Sequence, residues 1–177
     1  MIDLDGDGAW TQSQVWADIN ADGVTDLIDW VAPTDAILFH DKHRNGEWLD
    51  LDQVAFQSYG GNTDLEGLAW AFDSNSDGLF DLQDAEFEHF ALWLDLNQNA
   101  RVDADELQSL VDLGVEAVVL TSNGEAQRVG NSVVYGQTQL LFTDGSGLAV
   151  FDAAVAYTSG ADIAEADRQR QQAYTVI

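Results

Sequence analysis

Cysteine is missing from the 177 residues, so neither disulfides nor thiolate metal sites hold this chain together. Basic residues are scarce as well: six Lys and Arg stand against 32 Asp and Glu, for a formal charge of −26. Nucleic acid demands clustered Lys and Arg against its phosphates, and with Lys42 the only lysine no such patch can be assembled. No apolar run approaches the roughly 18 residues of a membrane span, and the opening Met1 to Gly8 has no positive stretch leading into an apolar one, so membrane insertion is not expected. Proline occurs once, at Pro33, behind Ala32.

What is present points to a folded, cation-hungry chain. Hydrophobic residues make up 46% and six are Trp, far from the composition of a disordered acidic tail. The length suits one domain with a real core, or two very small ones. Its acidic surface must be neutralised by something, and a positive ion is the simplest candidate.

The acids return in short alternating runs with Asn and Gly, the arrangement a hard cation requires. Calcium takes about six to eight oxygens, and a loop of about 12 residues supplies them from positions 1, 3, 5, 7 (a main-chain carbonyl), 9 and 12, with Gly at 6. Five segments follow this spacing to different degrees. Asp73, Asn75, Asp77, Leu79, Asp81 and Asp84 fill every position, with Gly78 at the turn. Asp95, Asn97, Asn99, Arg101, Asp103 and Glu106 do so 22 residues later, but with Ala100 in place of Gly, where a left-handed backbone costs roughly 1 kcal/mol. Asp18, Asn20, Asp22, Val24, Asp26 and Asp29 are also complete, with Asp26 or Asp29 as the closing ligand. Asp3, Asp5 and Asp7 are well spaced, but Gln14 falls at position 12, so the closing ligand must come from elsewhere in the fold. The segment from Asp41 offers His43 and Leu49 where oxygens are needed and reads as degenerate. One isolated run of this kind is as readily an Asx-rich turn. Two complete loops in tandem, with apolar Phe80 and Val102 both at position 8, argue for calcium, with about three to four ions in all.

Between and after the two best loops, Phe87, Phe90, Ala91 and Leu94, then Leu107, Leu110 and Val111, recur at helical spacing. The spacing predicts short helices over 84–94 and 104–114, with another around Leu65 to Phe72. Val15 to Ala17, Leu27 to Val31 and Ala36 to Phe39 read as short strands or connections, and Val115 to Leu120 and Ser132 to Tyr135 as strands. Gln139 to Phe151 reads as a hairpin around a Gly-rich turn. The expected fold class is therefore α+β: EF-hand-like calcium loops with short helices packed against a small antiparallel sheet. A single module over 1–160 divides into loops and strands at 1–62, a loop-helix pair at 63–114 and a β-rich part at 115–160, followed by a polar tail at 161–177.

Taken together, Asp3 to Gly8, Asp18 to Trp30, Asp41 to Gly46 and Ala69 to Leu120 resemble the calcium-dependent self-processing module of RTX-type secreted bacterial proteins. The resemblance runs through roughly residues 2 to 157. Its most specific stretches are Leu4 to Gly8, Asp26 to Ala32, Phe72 to Gly78, Leu92 to Asn99, Asp105 to Leu107 and Leu113 to Val115. It implies a calcium-folded module of an exported toxin-like or adhesin-like protein, passed through type I secretion. In that family calcium triggers cleavage of an Asp-Pro bond just before the module, and the freed Asp can join a Lys amine. No Asp-Pro dipeptide occurs in these residues, so this chain is expected not to cleave itself. Whether such a bond lies upstream decides whether an autoprocessing enzyme is the alternative.

A third reading is a binding module. The tandem loops also resemble dockerins, although the chain is long for one, and Trp10, Trp16, Trp30, Trp48, Trp70 and Trp93 offer material for a sugar-stacking platform. Core packing accounts for most of those Trp residues more simply. His40, His43 and His89 do not make a zinc site by spacing, and no catalytic residue is assigned. The expected partners are calcium ions and the neighbouring domains of a longer secreted protein. The chain is expected to be monomeric and to work outside a bacterial cell or at its surface.

Overall fold

The second acidic loop is held at both ends by one hairpin. Strand β1 (Gln12–Ala17) and strand β2 (Asp26–Val31) pair antiparallel with Gln12 opposite Val31 and Ala17 opposite Asp26. The structure is a computed structural model that describes residues 1–19 and 21–165. Along the chain follow β3 (Ile37–His40), the α-helix α1 (Asp64–Phe72), β4 (Leu79–Asp81), β5 (Phe90–Trp93), β6 (Leu107–Ser109), β7 (Val115–Val119), β8 (Gln127–Val129), β9 (Ser132–Phe142), β10 (Gly147–Ala154) and β11 (Tyr157–Thr158). Short 3-10 turns occupy Leu51–Gln53, Phe56–Tyr59 and Phe87–His89.

These strands make three sheets among the described residues: β1-β2-β11, then β10-β9-β7-β4 with β8 on β9, and β3-β5-β6. Every named pairing is antiparallel. β9 alternates along its length, with Ser132, Val134, Gly136, Thr138 and Leu140 inward, the period of a strand with one wet face. The β9–β10 hairpin turns over Thr143 to Ser146, where Gly145 takes φ +85.

The third sheet lies between two cores. Leu38, Phe90 and Leu92 pack with Phe72, Phe80, Phe87, Leu110 and Leu140, whereas Ile37, Phe39 and Trp93 pack with Trp10, Trp30, Val134 and Phe151. Aromatic rings line both sides, with Trp30 and Phe39 edge-on to Trp93 at 5.5 and 6.1 Å and Phe80 edge-on to Phe90 at 4.7 Å.

The two-sided burial explains where the expected fold class fails. The chain is mostly β, and the helix–loop–helix units of an EF-hand are absent among the described residues. The helix expected over 84–94 is a 3-10 turn followed by β5, and that expected over 104–114 is β6 followed by a turn. Phe90, Ala91, Leu92 and Trp93 are all buried because β5 has a core on each face. Such a continuous apolar run satisfies helical spacing as well as it satisfies a central strand. The helix around Leu65 to Phe72 is present as α1, capped by Thr63, whose hydroxyl accepts the Glu66 amide at 3.3 Å. The strands expected in the first third and beyond Val115 are present as β1, β2, β3, β7 and the β9–β10 hairpin.

Distant parts of the chain are stitched together. Ile2 bridges both Ala36 and Val150, β3 pairs with β5, and β11 returns to β2. Of the polar tail, residues 161–165 are helical and 166–177 lie outside the described residues.

Candidate metal centres

All five acidic loops share one backbone device. The first Asp of each takes two amides, those of the fifth and sixth residues, on its two carboxylate oxygens. Asp7 and Gly8 donate to Asp3 at 3.2 and 2.8 Å, Asp22 and Gly23 to Asp18 at 3.0 and 2.9 Å, and Asn45 and Gly46 to Asp41 at 3.1 and 3.0 Å. Asp77 and Gly78 donate to Asp73 at 3.2 and 3.1 Å, and Asn99 and Ala100 to Asp95 at 3.0 and 2.8 Å. In each loop the seventh amide then donates to the side chain of the fifth residue: Ala9 to Asp7, Val24 to Asp22, Glu47 to Asn45, Leu79 to Asp77 and Arg101 to Asn99.

The device needs left-handed residues at positions 4 and 6, which turn successive amides inward. Positions 6 are Gly8, Gly23, Gly46, Gly78 and Ala100, all with positive φ. Every described non-glycine residue with positive φ belongs to these loops: Ala21, Arg44, Ser76, Gln98 and Ala100. Each of these costs roughly 1 kcal/mol relative to an ordinary backbone. Ala100 is compensated by burial of its methyl group in the second core.

Three loops are also closed by a further buried acid. Asp84 accepts the amides of Ser74 (position 2) and Asp81 (position 9) at 2.7 and 3.0 Å. Glu106 repeats this on Leu96 and Asp103 at 3.0 and 3.3 Å, and takes the indole N–H of Trp93 at 3.3 Å. For the loop from Asp3 the closing acid is Asp35. It accepts the position-9 amide of Thr11 at 2.8 Å, and the position-2 amide of Leu4 favours its charged form. Asp35 is 1% exposed, and its Oδ1 has no hydrogen-bond partner among the described residues. Burial pushes its carboxyl above the usual carboxylate range, with the charges of Asp5 and Asp3 pushing the same way against the two amides.

The donor chemistry of these three loops fits a hard divalent cation. The side chains of these loops offer carboxylate and amide oxygens, and the Asp35 Oδ1 left without a partner among the described residues is what a bound ion would satisfy. Asp3, Asp5 and Asp7 offer carboxylate oxygens within 4.8 Å of one another. In the loop from Asp95, the Asn97 and Asn99 side-chain amides bond Asp103 at 2.8 and 2.9 Å and hold its carboxyl below the usual range. An ion there would draw the two amide oxygens inward in place of the N–H groups.

Comparison with known proteins matches residues 1–156 to the SPM domain. The chain belongs to the SPM domain family. A curated relative, the iron-regulated protein FrpA of Neisseria meningitidis serogroup C, is 30% identical over 150 residues. The match covers 77% of this chain and 13% of that protein, so the SPM domain corresponds to a small part of its relative's length.

The other sequence-predicted ligands of this SPM domain are placed differently. Asp29 lies on β2, where Gln14 donates to it at 3.0 Å and Ser132 at 2.9 Å. Asp26 is buried and accepts the Gly160 amide at 2.9 Å. Asn20 lies outside the described residues. In the loop from Asp41, the position-12 residue Asp52 is engaged by the Lys42 ammonium, which also bonds Asp50 at 3.0 Å. A side-chain cation thus already occupies the closing acid of the loop read as degenerate.

The structure also brings together residues that spacing kept apart. His40, Glu86 and His89 have ligand atoms within 4.8 Å of one another, although 46 residues separate the first two. The sequence carried no signal for this meeting, because the segment that forms β5 and pairs with β3 reads as a helix by spacing. Of the Trp residues, Trp10, Trp30 and Trp93 are buried, whereas Trp16 on β1 and Trp70 on α1 are exposed.

Proposed function

We propose that this chain is a calcium-folded structural module of a secreted, RTX-type bacterial protein. The observation that carries this reading is one carboxylate clasp repeated in five loops, three of them closed by a buried acid on positions 2 and 9. Ions would be held by Asp73, Asn75, Asp77 and Asp81 under Asp84, by Asp95, Asn97, Asn99 and Asp103 under Glu106, and by Asp3, Asp5 and Asp7 under Asp35. Main-chain carbonyls at position 7 complete each set. The loop from Asp18, with Asp18 and Asp22, shows no acid across its positions 2 and 9 among the described residues and is the weakest of the four oxygen sites.

Without metal, each like-charge pair at about 4 Å costs on the order of 4 kcal/mol at an effective dielectric of 20. A domain stable by about 5–15 kcal/mol tolerates few such pairs. Calcium turns that repulsion into coordination, so its binding free energy becomes folding free energy. Mixed Asp and Asn ligands suit extracellular modules, which work at about 10⁻⁴–10⁻³ M calcium. The chain would stay loose in the cytosol and lock after export, supporting neighbouring domains of the longer protein. Among the described residues no helix is long and apolar enough to cross a membrane, in keeping with this role. No Asp-Pro dipeptide occurs within these residues, so cleavage inside them is not part of the proposal.

Circular dichroism of chelator-treated protein, before and after calcium is restored, tests the proposal. A gain of ordered β structure and of near-ultraviolet Trp signal is expected. Spectra that ignore both chelator and calcium would reject it.

A further inference from the structure

Strand β3 ends on His40, and its register with β5 sets His40 opposite Phe90, one residue beyond the 3-10 turn Phe87–His89. The Asp41 amide donates to the His89 carbonyl at 2.8 Å and fixes the two segments against each other. Glu86 precedes the turn. Its Oε2 lies 2.8 Å from His89 Nδ1 and 3.6 Å from His40 Nε2.

His40 is an unusual core residue. It is 6% exposed, stacked on Phe90 with ring centroids 4.6 Å apart and edge-on to Phe72 at 4.9 Å. Neither of its ring nitrogens has a hydrogen-bond partner among the described residues. Buried polar atoms left unpaired are rare and call for an explanation. The 3.6 Å separation from Glu86 is too long for a hydrogen bond, yet it suits two ligands of one ion. Donors about 2.0–2.1 Å from a tetrahedral zinc lie roughly 3.4 Å apart, near the His40–Glu86 separation, whereas the 2.8 Å contact of Glu86 with His89 Nδ1 is a hydrogen bond that must open slightly for both to bind one ion.

We propose that His40, Glu86 and His89 form a site for a borderline divalent transition metal, with zinc as the representative ion. Two imidazoles and one carboxylate are a donor set that zinc favours, whereas calcium takes oxygens alone, so this site is chemically separate from the acidic loops. The cation side chains on the neighbouring loop do not compete for Glu86: Lys42 is paired with Asp50 and Asp52, and Arg44 with Glu88. Glu86 and His89 are partly exposed and give the ion a way in, while the buried His40 supplies a rigid anchor. Three protein ligands leave a further position for water or an outside ligand. The inference does not depend on the calcium reading.

Isothermal titration of zinc into the full chain, in excess calcium so that oxygen sites are already filled, is the test. One zinc per chain is expected, with cobalt substitution giving visible d–d absorption. His89→Gln and Glu86→Gln should each weaken zinc more than tenfold. His40→Phe, which keeps the ring stack and removes both nitrogens, should abolish binding while leaving the fold intact by circular dichroism. Wild-type protein that takes up no zinc at micromolar concentration overturns the proposal. So does zinc bound equally by wild type, His40→Phe and His89→Gln, which would place it in the acidic loops.

Discussion

Asp35 accepts the Thr11 amide at 2.8 Å across 24 residues of sequence, the bond that Asp84 makes to Asp81 and Glu106 to Asp103 within their own loops. The loop that begins at Asp3 therefore borrows its closing acid from the turn that follows β2. One Asp35 carboxylate oxygen is buried without a partner among the described residues, an arrangement unfavourable without a cation and one that the proposed calcium ion would relieve.

Asp35→Asn should consequently have effects of opposite sign. The amide keeps an acceptor for Thr11 and removes a buried negative charge facing Asp3 and Asp5, so the calcium-free chain should melt higher. Loss of a charged ligand should weaken one calcium site by about tenfold or more. Thermal melts with chelator and calorimetric titration with calcium check the two halves separately.

Asp95→Ala and Asp18→Ala remove the same clasp from different surroundings. Asp95 is fully buried and also takes the Trp30 indole N–H at 2.8 Å, so its loss strands the Asn99 and Ala100 amides and the indole. A cost of about 3 kcal/mol or more is expected in denaturant titrations. Asp18 is exposed, its amides can turn to water, and its loss should cost under about 1 kcal/mol.

Closing acids should separate the working loops from the degenerate one. Glu106→Gln and Asp84→Asn should each reduce calcium affinity by about tenfold or more. Asp52→Asn should leave calcium binding unchanged, because Asp52 is engaged by Lys42 and Tyr59. Calorimetric titrations of the three variants would show the contrast.

Gly67 sits inside α1, where Ala is ordinarily favoured by about 1 kcal/mol. A methyl group there would lie 2.0 Å from the Phe56 carbonyl oxygen, a backbone atom that cannot step aside. Gly67→Ala should therefore destabilise by about 2 kcal/mol or more, measured by thermal melting.

What the sequence made legible was local. A clasp built from residues 1, 5 and 6 of a loop is written in consecutive letters, so the loops from Asp3, Asp18, Asp73 and Asp95 could be located from spacing alone. The same spacing set aside the loop from Asp41, which folds onto the same clasp but carries His43 at position 3 and gives its closing acid to Lys42. The alternation of β9 was equally plain. The run Phe90 to Trp93 was not, because a strand with a core on each face loses the period that marks a strand. Asp26 and Asp29 both qualified by count as closing residues, and the count could not record that Asp29 is hydrogen-bonded by Gln14 and Ser132 while Asp26 takes the Gly160 amide. Asp35, and the meeting of His40 with Glu86 and His89, depend on pairings between distant segments that no spacing rule records.

On this reading divalent ions seated among these acids make the chain compact. A crystal structure grown in abundant calcium would reveal them. Density for an ion is expected among Asp73, Asn75 and Asp77, among Asp95, Asn97 and Asn99, and among Asp3, Asp5 and Asp7 beside Asp35. A well-ordered chain with the loops from Asp73 and Asp95 empty would contradict it.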